Sequence, residues 1–138
     1  MNKMKDQTKL IIIGAIFMML LSSIIIMAIF DDVEGPFIYQ VDVLPISPMA
    51  GDVVSVMIYC IDSSGVSGAE LSYNFNDEGW QQVDMQFSAC LCIAGGRWAS
   101  GFGPLSLSDT IQFFVTAFDD SPTQNTGNTE TFTIEIVE

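Results

Sequence analysis

Two patterns of apolar positions divide the chain. From Leu10 to Phe30 the residues "LIIIGAIFMMLLSSIIIMAIF" run without a charge. From Pro36 onward apolar and polar residues alternate in short runs between turn signals. The first pattern predicts a helix. At about 1.5 Å per residue, these 21 residues reach roughly 31 Å, about one bilayer core. Thirteen of them are Leu, Ile or Phe, each favouring insertion by about 0.3–0.6 kcal/mol at mid-membrane. The second pattern predicts strands. "FIYQVDV" closes at Pro45 and Pro48, and "DVVSVMIYCI" follows. "AELSYNF" places Leu71, Tyr73 and Phe75 on one face, and "NDEG" is a turn whose residues tolerate positive φ. "WQQVDMQF" places Val83, Met85 and Phe87 together. "ACLCIAGGRWASGF" is broken by Gly95 and Gly96. "DTIQFFVTAFD" turns Ile111, Phe113, Val115 and Ala117 one way, and "TETFTIEIVE" turns Phe132, Ile134 and Ile136 inward. Some seven strands in roughly 100 residues indicate an all-β sandwich, large enough for its core to need no metal or disulfide.

Charge orients this plan. Lys3, Lys5 and Lys9 precede the apolar run with one acid, Asp6; beyond Phe30 the only base is Arg97, against sixteen acids. Positive charge before a span holds that end in the cytoplasm. The expectation is therefore a cytoplasmic basic tail at 1–9, a transmembrane helix at 10–30 in contact with lipid, a linker at 31–36 and an extracellular β-domain at 37–138. A cleaved export signal is the rival reading. It fits less well because the run is long, Ile26 would sit where a cut after Ala28 needs a small residue, and Pro36 disfavours a cut after Gly35. Net charge of −13 argues against a nucleic-acid partner. Absence of histidine removes the commonest general base and metal ligand.

Two resemblances follow. "FFVTAFDDSPTQNTGNTETFTIEI", with Phe113, Val115, Ala117, Asp119, Gly127 and Asn128, resembles the last two strands of fibronectin-type-III-like and bacterial-Ig-like repeats. "IDSSGVSGAELSYNFNDEGWQQVDM" resembles their middle strands. The resemblance covers Ile61 to Glu138 and implies an Ig/fibronectin-III-like sandwich on a prokaryotic cell surface. That implies adhesion, scaffolding or protein–protein interaction with a protein or surface-layer partner, and no catalysis. Phe113 stands where many relatives carry tyrosine, so the tyrosine corner is not expected. The penultimate strand lacks the cysteine of the antibody disulfide. A long apolar N-terminal helix beneath a β-rich head also resembles type IV pilins and archaeal flagellins. That alternative implies self-association into a filament, although Lys9 abuts Leu10 without the small residue of a pilin processing site.

Candidate chemistry is sparse. Cys60 pairs with Cys90 or Cys92, or all three are small buried hydrophobes. Three thiols without histidine do not make a zinc site. If loops at one end of the sandwich gather Asp62, Asp119 and Asp120, with Asn125 and Asn128, their oxygens suit calcium; without an Asp-x-Asp-x-Asp-Gly loop, Asp62 and Asp119 fit loop caps in Asx-turns better. Trp98 and Phe102 read as a binding patch or as rim packing. No acid pair is singled out for glycoside hydrolysis, and "GGRWASGFGPL" lacks the Lys-Ser/Thr and helix of a phosphate loop. The sequence therefore assigns no catalytic, cofactor-binding or metal residues and no cofactor.

Overall fold

The structure, a computed structural model, describes residues 12–20, 32–89 and 96–136. It divides into two units, Met1–Asp31 and Asp32–Glu138. In the first unit, residues 12–20 are helical. Among the described residues no helix is long and apolar enough to cross a membrane. The basic tail, the remainder of the expected span at 10–30, and Asp31 lie outside the described residues.

The second unit is an all-β sandwich. Its strands are β1 (Phe37–Leu44), β2 (Val54–Ile61), β3 (Val66–Phe75), β4 (Trp80–Asp84), β5 (Gln86–Ser88), β6 (Arg97–Phe102), β7 (Thr110–Asp119), β8 (Thr126–Asn128) and β9 (Phe132–Glu135). One sheet has the order β1-β2-β6-β5. The other runs β4-β3-β7, with β8 and β9 both paired to β7. All the pairings are antiparallel. Alternation decides what each strand buries. In β2, Val54, Val56, Ile58 and Cys60 are fully buried, and Met57, Tyr59 and Ile61 face outward. In β7, Ile111, Phe113, Val115 and Ala117 are buried, as the alternation predicts.

Aromatic rings join the sheets at one end of the core. Phe102 of β6 lies 5.4 Å from Tyr73 and 5.5 Å from Phe113 across the interface. Phe113 stacks on Phe132 at 5.1 Å. Of the two readings of Phe102, this decides for packing over a surface patch: it is a core residue. Trp98 is half-buried against Phe87 at 5.2 Å, which leaves Phe87 as the exposed partner. Positive φ at Asn76, Asp77 and Gly79 makes the expected turn between β3 and β4.

The expected single strand from Trp80 to Phe87 is two strands in different sheets. β4 pairs with β3, the chain crosses at Met85, and β5 pairs with β6. Met85 is buried, and its amide donates to the Ala69 carbonyl at 2.8 Å. The final strand is likewise preceded by a short extra one, β8.

These face assignments separate two adjacent phenylalanines. Phe113→Ala is expected to cost about 3–5 kcal/mol, which in a domain this size lowers the melting midpoint by well over ten degrees. Phe114 lies on the outer side of β7 against Trp80, so Phe114→Ala is expected to cost less than half as much. Equal losses in thermal melting would overturn the assignment.

Candidate functional site

One pole of the sandwich collects carboxylates. It is formed by the start of the domain, the loop after β2 and the loop after β7. Asp32, Asp62 and Asp119 present oxygens within 4.8 Å of one another. The expected meeting of Asp62 and Asp119 occurs, and Asn125 joins it. The third carboxylate is Asp32 rather than Asp120, whose side chain is exposed and whose amide donates to the Gly65 carbonyl. Asn128 sits apart on β8 and accepts from the Thr116 hydroxyl at 2.7 Å.

Each carboxylate at this pole has protein donors. The Ser64 amide and hydroxyl donate to Asp62 Oδ1 at 2.8 and 2.7 Å, forming an Asx-turn. Asp119 is only 1 % exposed. Its Oδ1 accepts from the Ser121 hydroxyl at 2.8 Å, and its Oδ2 from Asn125 Nδ2 at 2.8 Å. Asn125 Nδ2 also donates to the Asp32 backbone carbonyl at 2.8 Å, and the Ser63 hydroxyl reaches Asp32 Oδ2 at 2.7 Å. Residues from Asp32 onward, expected as a linker, are thereby held on the domain. Close backbone approach completes the attachment: a Cβ on Gly127 would overlap the Pro36 carbonyl oxygen.

Hydrogen bonding governs the ionisation here. Burial pushes the Asp119 carboxyl up, but donation from Ser121 and Asn125 outweighs it and holds the group below its usual 3.8. Asp32 is lowered chiefly by the Ser63 hydroxyl. At the opposite pole Asp109 is lowered chiefly by Asn76, whose amide donates to it at 3.0 Å. Beside the acidic pole, Asp32, Glu34, Phe37, Ile61, Asp62 and Ser63 line an open cleft of about 500 Å³.

Phe37 and Ile61, which line that cleft, are register partners in the four-stranded sheet, and Ile61 lies on its outer face. There the register sets Arg97 beside Tyr59, and Ser88 beside Arg97. A β-bulge between Ile38 and Gln40 frees Tyr39 from the ladder, and its ring lies 6.2 Å from that of Tyr59. Sequence reasoning missed this grouping, although alternation in β2 already turns Tyr59 away from the core.

Cys60 is a buried free thiol whose pKa is raised to about 11, first by burial and then by the Asp62 charge. Cys90 and Cys92, its expected partners, lie outside the described residues.

No protein-family profile matches the chain, and no curated protein matches it. Seven chains among solved structures do. One is a crystal structure of a bromine derivative of BhCBM56, with a TM-score of 0.52 and 17 % identity over 71 % of this chain and 91 % of that one. The likeness is one of fold, a β-sandwich.

Two outcomes test the pole. Depressed carboxyl pKa values contribute stability above the unfolded value near 3.8, and that stability is lost as pH falls through the folded values. The melting midpoint is therefore expected to hold from pH 7 to about 5 and to drop below about pH 4. Asp119→Asn should lower the neutral midpoint and flatten the acid decline; an unchanged pH profile would contradict the network. Because both Asp119 oxygens already accept protein hydrogen bonds, millimolar calcium should leave the midpoint where a chelator leaves it. A rise of several degrees would reassign the carboxylates as ligands.

Proposed function

We propose that the chain is a single-pass membrane-anchored protein that displays an Ig/fibronectin-III-like β-sandwich outside the cell for adhesion, binding rather than catalysing. The observation that carries this reading is a junction. An uncharged run of membrane length, preceded by three lysines, ends at Phe30, and a hydrogen-bonded β-domain begins at Asp32. The positive-inside rule then sends that domain outward.

Binding without catalysis is supported by chemistry. The chain has no histidine, and the carboxylates that do gather are engaged in capping loops. A glycan is the ligand class best matched to the exterior. A polyanion is repelled by a chain of net charge −13, whereas a largely neutral, hydroxyl-rich polymer is not. Tyr39 and Tyr59 offer rings with polar edges on an open sheet face, a surface suited to sugar rings. The fold likeness to BhCBM56, by its name a carbohydrate-binding module, supports the same class.

Protease added to intact cells is expected to remove the β-domain and leave a small membrane-bound fragment containing Leu10 to Phe30. Full protection of the domain in sealed cells would contradict the orientation. Recovery of long detergent-free fibres would replace the anchored protein by a filament subunit.

A further inference from the structure

Arg97 is the single base among the residues after Phe30, in a region with sixteen acids, yet it forms no ion pair among the described residues. Its Nε is shielded from solvent and has no hydrogen-bond acceptor. An unmatched buried donor is costly, and a guanidinium ordinarily takes a carboxylate when many are at hand. The register explains why none reaches it. On the outer face its cross-strand neighbours are Tyr59 of β2 and Ser88 of β5, both neutral. The next row toward the opposite pole holds Met57, Ala99 and Gln86. Asp42, the acid on β1 paired with Met57, already accepts the Gln40 amide at 3.0 Å.

We propose that this outer face binds a glycan through one carboxylate, that of a uronic acid residue, held by Arg97 and flanked by Tyr39 and Tyr59. The inference rests on the glycan reading above and adds the site and the sugar class. Through its two terminal nitrogens a guanidinium forks a carboxylate with two parallel hydrogen bonds, a geometry no neutral sugar group reproduces. One cation matches one carboxylate. A polyanion would bring further negative charge against the acidic pole, where Phe37 and Ile61 adjoin Asp32 and Asp62. The two rings, tilted 41° to each other, present apolar faces to sugar C–H groups at little cost in conformational entropy. The outer face of a sheet suits a chain of sugar rings lying across it.

The experiment measures binding of the full chain, in a non-glycosidic detergent, to immobilised trisaccharides. One set ends in glucuronate, galacturonate or mannuronate. A second set carries the methyl esters of the same acids, and a third the parent neutral sugars. At least one uronate is expected to bind about ten- to a hundredfold more tightly than its ester, the difference given by a charge-assisted hydrogen-bonded pair. Arg97→Gln should erase that difference, and Arg97→Lys should restore part of it. Equal binding of acids and esters by the unaltered protein overturns this inference and leaves the glycan reading standing. Binding of none of the sugars, or only of a glutamate-bearing peptide run as a control, overturns both. The acid–ester comparison needs no variant, so a misfolded Arg97→Gln does not decide the matter.

Discussion

Asp119 ends the central strand of the larger sheet with its carboxylate withdrawn from water, and the acidic pole is built around it. A buried charge is tolerable only when its oxygens are hydrogen-bonded. Ser121 and Asn125 supply those bonds, which fixes the loop after β7. Asn125 then extends the network to the Asp32 carbonyl. The same nitrogen that satisfies the charge thus fastens the first residue of the domain. At Gly127 and Pro36 the backbones approach closely enough to admit only glycine, so the start of β1 is held by shape as well as by hydrogen bonds.

Between its poles the domain is an ordinary sandwich, and its two outer faces differ. The five-stranded sheet carries Trp80 and Phe114 in edge contact at 5.0 Å over β3, where Ser72 is buried. The four-stranded sheet carries Arg97 and the tyrosines. A lone cation in so acidic a domain is attracted by distant carboxylates but is satisfied by none among the described residues, because strand register, not charge, decides which side chains are neighbours.

Much of the fold could be read from period-two alternation. The strands around Val41, Leu71 and Val115 were predicted because their apolar residues recur on one side. The switch at Met85 was not, for a physical reason. Val83, Met85 and Phe87 recur at every second position across the point where the chain changes sheets, so the alternation continues unbroken through the crossing, although only Met85 of the three is buried. Trp98 and Phe102 fall in an expected strand broken by glycines and read as a binding patch or as rim packing; pairing with β2 decides for packing and turns Phe102 into the core. At the pole, the meeting of Asp62 and Asp119 followed from sandwich topology. Asp32 could not be foreseen, because its position depends on a side chain 93 residues away in the chain. The Arg97 face was hidden similarly: the bulge that brings Tyr39 to Tyr59 has no glycine to signal it.

The central claim is that hydrogen bonds to a buried carboxylate hold the beginning of this domain. Hydrogen exchange on the full chain, comparing the unaltered protein with Asn125→Ala, tests it most directly. The account predicts faster exchange at residues 34–37 and 119–126, with the amides of β2, β3 and the middle of β7 still protected. Unchanged protection of residues 34–37 in the variant would contradict it.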